Sequence, residues 1–284
     1  MRRLRARYQD GVLTPLEALS LPEGAEVALL LEESPPPEDW HGQVRFQCRQ
    51  IAPLSALFTW TMPLPGAGGP RVRLCQVLTR DSRGTRLLGA VAAAPGSVQV
   101  EMRVDLPPRP EVASQEFTLR FLDQEDTEQL AGRIVVLLPA VRVLLQDLVG
   151  QPPAEWNRQG SWGRLEDGTW SDSPSGDYPN DADFSLTSPL ISLGGLESSV
   201  LTFQERHCLE EGADWCALEV QGQDGPWQVL ARYTGVSDWK AQALDLSDFD
   251  GTRIRLRFRL RSDRSVTRDG FYFRNLLLAA LPVS

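Results

Sequence analysis

Lysine is almost missing from this 284-residue sequence: Lys240 is the single one, and arginine supplies the rest of the 29 basic side chains. That bias fits a GC-rich coding background as readily as a function. Histidine is nearly as scarce, with only His41 and His207. Two histidines and no His-Glu-x-x-His motif exclude a zinc peptidase on ligand count. Neither histidine lies near a Gly-x-Ser-x-Gly nucleophile motif, which removes the usual basis for a serine triad. Four cysteines are too few for a disulfide scaffold in a chain of this size. Cys48 and Cys75 fall in strand-like segments, where a buried free thiol is the common state, whereas Cys208 and Cys216 bracket a short loop and could bridge in an oxidising compartment. No run of about eighteen uncharged apolar residues occurs, so no transmembrane helix is expected. The charged start "MRRLRARYQDGVL" has no apolar stretch and no small-residue cleavage site behind it. It does not read as a signal peptide, and the expected location is cytoplasmic.

What is present is a core. A hydrophobic content of 42% argues against disorder, and 38 acidic against 29 basic side chains, with a formal net charge of −9, argue against general attraction to nucleic acid or to an anionic membrane. Proline punctuates the chain twice, in "EESPPPEDW" and "GQPPAEW". Consecutive prolines continue neither a helix nor a central strand. The expected organisation is therefore a small element at 1–33, a linker at 34–40, a body at 41–149, a second linker at 150–155 and a second body at 156–284.

Residues 1–33 read as short strands around the turn formers Asp10-Gly11 and Pro22-Glu23-Gly24, an N-terminal β-hairpin element. Tyr8, Asp10, Gly11, Val12, Pro15, Leu16, Glu17, Leu21, Pro22, Glu23 and Gly24 resemble a small antitoxin-like family of bacteria and archaea. The resemblance implies a ribonuclease toxin as partner of this element. In 41–149, seven short strand-like runs alternate with turns. In "QVRFQCRQI", for example, Val44, Phe46 and Cys48 take one face and Arg45, Gln47 and Arg49 the other. That spacing predicts an immunoglobulin-like β-sandwich. The run "AVRVLLQDLVG" is expected to close this body as a short helix ending at Gly150.

Residues 156–284 hold "TWSDSPSGDY", "SLTSPL", Asp214 before "CALEV", Asp224-Gly225 with Trp227, Trp239, "DLS", Arg257-Phe258, Ser262-Asp263 and "DGFY" in that order. These pieces resemble the MAM-like jelly-roll domain that accompanies immune-inhibitor-A-type metallopeptidases and many bacterial surface proteins. The resemblance implies a jelly-roll β-sandwich of two antiparallel sheets, and the chain as a whole is expected to be all-β. Related jelly rolls often carry a structural calcium. Asp177, Asn180, Asp181 and Asp183 offer the hard oxygen ligands that calcium takes, but Arg274 stands where the family commonly has an acid.

The most conspicuous stretch is "TRIRLRFRLRSDRSVTRDG", with seven arginines in nineteen residues. Ile254, Leu256, Phe258 and Leu260 alternate with Arg253, Arg255, Arg257, Arg259 and Arg261, which predicts one strand with an apolar and a guanidinium face. Neighbouring arginines on that face sit about 7 Å apart and repel unless acids on adjoining strands answer them. Whichever arginines stay unanswered are candidates for binding. Glu205, Glu210, Glu211 and Asp214 gather around one loop; a retaining glycosidase would need two of them roughly 5 Å apart, and solvated loop carboxylates are the plainer reading. Six of the eight tryptophans lie in 156–284 and serve either packing or sugar stacking.

The candidate binding residues are accordingly Arg253, Arg255, Arg257, Arg259, Trp215, Glu210, Glu211 and Asp214, with no catalytic residue, metal ligand or cofactor expected. The expected function is a non-enzymatic binding or scaffold protein that meets a protein partner through its sandwiches, with neither nucleic acid nor membrane as partner. Two alternatives stand beside it: an antitoxin-like regulator acting through residues 1–33, and a carbohydrate-binding protein.

Overall fold

The computed structural model describes residues 6–9, 12–15, 31–32, 43–63, 71–81, 84–94, 98–223 and 225–283. The expected Asp10-Gly11 turn, the linker at 34–40 and His41 lie outside them. The chain divides into two compact units, Met1–Leu30 and Leu31–Ser284. In the first, β1 (Ala6–Gln9) and β2 (Val12–Pro15) pair antiparallel, with Gln9 opposite Val12.

The second unit begins with β3 (Leu31–Glu32), β4 (Gln47–Ala52), β5 (Ser55–Thr61), β6 (Leu74–Asp81), β7 (Gly84–Ala92), β8 (Gln99–Asp105), β9 (Ala113–Leu122) and β10 (Glu128–Leu138). A five-stranded sheet in the order β3-β10-β9-β6-β7 faces a three-stranded sheet in the order β4-β5-β8. Period-two patterning drives this: Ala56, Phe58 and Trp60 on β5 and Phe117, Leu119 and Phe121 on β9 are all buried, with partly exposed residues between them. Phe58 meets Phe117 edge to face at 4.9 Å, joining the two sheets at the centre. Val44 and Cys48 pack with Phe46 against this core, the face their alternation predicts, although strand pairing starts only at Gln47.

Residues 140–150 differ from expectation. Instead of a helix they form β11 (Arg142–Asp147), which pairs with the last strand, Arg142 opposite Ala280 and Asp147 opposite Leu276. The run satisfies either period locally, and the free edge of a distant strand decides in favour of β. Leu54, Val141 and Ala279 form a small shared cluster where the first sandwich meets the next.

The remaining strands are β12 (Asn157–Gln159), β13 (Gly163–Arg164), β14 (Trp170–Ser171), β15 (Asp183–Thr187), β16 (Ile191–Ser192), β17 (Leu196–Cys208), β18 (Trp215–Gly222), β19 (Trp227–Tyr233), β20 (Val236–Asp245), β21 (Arg253–Arg261) and β22 (Gly270–Pro282). One sheet runs β13-β14-β22-β17-β20 with β11 also on β22; the other runs β12-β15-β21-β18-β19 with β16 also on β21. Between them lies a core of Trp162, Trp170, Phe203, Leu218, Phe258, Phe271 and Phe273, among others. The rings of Phe258 and Phe273 stack across the two sheets at 4.2 Å. The architecture is all-β, with two sandwiches and jelly-roll-like packing in the second. All four cysteines are free, Cys208 and Cys216 included.

Candidate functional site

The alternation read in β21 is realised: Ile254, Leu256, Phe258 and Leu260 are fully buried while the five arginines point outward. Register assembles the rest of that outer face. On β18, Trp215, Ala217, Glu219 and Gln221 stand opposite Arg261, Arg259, Arg257 and Arg255. On β15, Asp183, Ser185 and Thr187 stand opposite Arg261, Arg259 and Arg257. Trp227 of β19 stands opposite Gln221.

Acids on the neighbouring strands answer only part of the arginine row. Arg257 reaches Glu219 Oε2 with Nε and Nη2, both at 2.6 Å. Arg259 grips both oxygens of Asp183, at 2.7 and 2.6 Å, the bidentate geometry that suits guanidinium to carboxylate. This hydrogen bonding holds the Asp183 carboxyl below its usual range and raises Arg259. Arg261 stands farther from the same acid, at 3.9 Å. Arg253 and Arg255, by contrast, have no ion pair or hydrogen bond among the described residues.

These two arginines line a groove of about 370 Å³ together with Leu190, Gln221, Gly222 and Gln223. Gln221 Nε2 donates to Gly225 O at 2.9 Å, which fixes the amide and leaves its Oε1 as an acceptor. Leu190 is 50% exposed and supplies an apolar edge. Planar amides, guanidinium forks and a small apolar surface in one concavity can bind a polar ligand with several hydrogen bonds.

The tryptophans divide. Trp162 and Trp170 are buried in the jelly-roll core, and Trp156 packs against it, as structural residues. Trp215 and Trp227 lie on the outer face, but each carries a guanidinium over its ring, Arg232 at 4.4 Å and Arg257 at 4.0 Å. Trp239 is on the other sheet under Arg274 at 4.1 Å. Arg274 is thus occupied by stacking and by Gln204 Oε1 at 2.9 Å.

The acidic candidates are not part of the groove. They sit beyond the opposite end of β21, whose nine residues span roughly 27 Å. Asp214 is fully buried, accepting from the Tyr178 hydroxyl at 2.6 Å and from Asp263 N at 2.8 Å. Glu211 is exposed on the loop. Glu210, Asp214 and Asp263 each bring a carboxylate oxygen within 4.8 Å of the others. Burial, then the charges of Asp263 and Asp214, push the Glu210 carboxyl up. Of the acids read as calcium ligands, Asp183 is taken by Arg259, and Asp181 has Arg264 at 3.8 Å. Glu205 is buried and accepts from His207 Nδ1 at 2.8 Å and Gln242 at 2.9 Å, with Lys240 at 3.2 Å. His207 Nε2 faces Thr234 O at 3.3 Å, so both ring nitrogens are engaged and the histidine is a core residue.

Sequence reasoning found two of the groove residues, Arg253 and Arg255, and missed Leu190, Gln221 and Gln223. The signal lay in the pairing of β18 with β21, which puts Gln221 beside Arg255; nothing local in "EVQGQDG" announces it.

Residues 1–44 match the AF2212-like family. Over 108 residues, 37% of this chain and 8% of the relative, the sequence is 32% identical to Bacillopeptidase F of Bacillus subtilis (strain 168). Similar solved structures include a family 29 carbohydrate-binding module complexed with mannohexaose (15% identity, 50% of this chain and 93% of that one, TM-score 0.34). Another is a module from Piromyces equi (9% identity, 49% and 89%, TM-score 0.32). A third is a structure on the promiscuous specificity of carbohydrate-binding modules of the β-sandwich superfamily (6% identity, 83% and 96%, TM-score 0.36). These are structures of carbohydrate-binding modules. The expected cytoplasmic location is corrected by the same finding, since such modules are not typical of cytoplasmic proteins. That expectation rested on the lack of an apolar leader in the residues at hand, a feature that does not fix where a β-sandwich works. No helix among the described residues is long and apolar enough to cross a membrane.

Proposed function

We propose that this chain is a non-catalytic carbohydrate-binding protein whose site is the groove on the outer face of the second sandwich. The observation that carries the reading is the lining itself: Gln221, Gln223, Arg253 and Arg255 offer donors and acceptors around the exposed side of Leu190. Sugar hydroxyls need such paired donors and acceptors, and the CH face of a ring suits a small apolar surface. Of the residues singled out by sequence, Arg253 and Arg255 bind; Arg257 and Arg259 hold the sheet; Trp215, Glu210, Glu211 and Asp214 shape the far end. The finer labels, immunoglobulin-like for 41–149 and MAM-like for 156–284, belong to this proposal and are supported by the two pairs of facing sheets. Affinity electrophoresis or calorimetry against a panel of soluble polysaccharides tests the function. We expect binding to at least one, weakened about tenfold by Gln221→Ala combined with Arg255→Ala, the loss of two to three hydrogen bonds. A panel without any binder would refute it.

A second role is favoured for the N-terminal element by the family match over residues 1–44 and its β1-β2 hairpin: docking of a protein partner, with a ribonuclease toxin as the partner the family resemblance suggests. A two-stranded element has little surface of its own to bury and gains stability from a second chain. Pull-downs with the full chain and with a version lacking residues 1–33 decide it. A partner lost on truncation supports the role; unchanged capture of every partner removes it.

A further inference from the structure

The five arginines of β21 share one face of one strand, yet they fall into two groups. Arg257, Arg259 and Arg261 meet Glu219 or Asp183 on the strands beside them. Arg253 and Arg255 meet no acid among the described residues, although the chain carries nine more negative than positive charges. Two guanidiniums two residues apart on a strand lie about 7 Å from each other, and their repulsion is not offset within the described sheet. Both line the groove, where Gln221 and Gln223 add amides and Leu190 an apolar edge.

We propose that the groove selects an acidic glycan, one whose sugar rings carry carboxylates. This rests on the carbohydrate-binding reading above and narrows it. A guanidinium presents two parallel N–H donors that match the two oxygens of a carboxylate, the pairing that Arg259 makes with Asp183 a few residues along the same strand. Two such forks side by side suit anionic groups repeating along a polymer better than a single neutral sugar. The Gln221 acceptor and the Gln223 amide are then free for ring hydroxyls. Because the rest of the molecule is acidic, long-range attraction is weak, and recognition depends on close contact at these two side chains.

The test uses the full chain and three probes: polygalacturonate, the same polymer with its carboxylates methyl-esterified, and dextran sulfate. We expect polygalacturonate to bind, the esterified polymer to bind at least about tenfold more weakly, and Arg253→Ala with Arg255→Ala to abolish that preference. Arg255→Lys keeps the charge and removes the fork, so it should also reduce the preference if geometry counts. Raising the salt concentration should weaken the wild type more than the double variant. Equal binding of the free and esterified polymers overturns the acidic-glycan inference and leaves carbohydrate binding standing. Preference for dextran sulfate over polygalacturonate overturns the carboxylate assignment. Failure of these probes together with every neutral polysaccharide overturns both readings. Wild-type-like unfolding of the variants separates loss of binding from loss of fold.

Discussion

Asp172 shows how a single residue can tie structure to pH. It is fully buried, and its Oδ1 accepts from Phe271 N at 2.9 Å and from the Ser173 hydroxyl at 3.1 Å, while Oδ2 has no partner among the described residues. Gly270 makes the approach possible: a Cβ there would stand 2.2 Å from Asp172 Oδ1, and its φ of +97° is itself one that glycine tolerates. Burial, only partly opposed by those hydrogen bonds, pushes the Asp172 carboxyl up to about 7 from 3.8. A raised folded-state pKa means that the unfolded chain releases this proton first. The stabilising contribution is therefore complete below about pH 4 and is lost as pH rises to about 7. Denaturant unfolding of the wild type and Asp172→Asn between pH 4 and pH 8 should show the difference moving toward the variant by on the order of a few kcal/mol over that interval. Parallel stability curves would contradict this account.

Among elements, β21 and β11 mark the two ends of what the sequence discloses. Strict alternation of arginine with Ile254, Leu256, Phe258 and Leu260 admits one period, and the strand with both its faces was legible in full. The seven strand-like runs of the first sandwich coincide with β4 to β10; those without alternation, such as the crowded apolar run of β10, were marked by their length and the turn residues between them. In β11 the apolar residues are too crowded to choose a period, and its identity comes from β22, far along the chain. The consequence reaches Asp147, which no sequence pattern marks. Buried in the jelly roll, it accepts from the indoles of Trp156 and Trp170, both at 2.9 Å, and from Ala154 N at 3.2 Å. A fragment cut at the second proline linker, 156–284, would lose these acceptors and leave Leu276–Ala280 of β22 as an open edge. Compared with 140–284, it should melt lower and scatter more light on heating. Equal melting temperatures would show that β11 is dispensable.

For the whole molecule, the regular spacing of strand-like runs and turns and the jelly-roll resemblance pointed to the all-β class that the sheets realise, while the candidate site was only half legible. The arginines announce themselves locally. Which of them are answered depends on Glu219 and Asp183, contributed by two other strands, and the amide side of the groove depends on β18 register. The acidic loop, conspicuous as a string of carboxylates, turns out to be largely internal at Asp214, whose partner Tyr178 is itself fully buried. The groove at Arg253 and Arg255 and the acidic loop thus lie toward opposite ends of β21, while Arg261 and Asp263, from the same arginine-rich run, adjoin the loop.

The unpaired cysteines have a practical consequence. Cys75 lies at zero exposure in the first sandwich and Cys216 at zero exposure in the second, and burial pushes both thiols up, Cys75 to about 11. A thiolate-directed reagent reaches neither while its sandwich is closed. Each core therefore carries its own chemical clock, and mass spectrometry of the labelled peptides would time the opening of the two sandwiches separately in one sample.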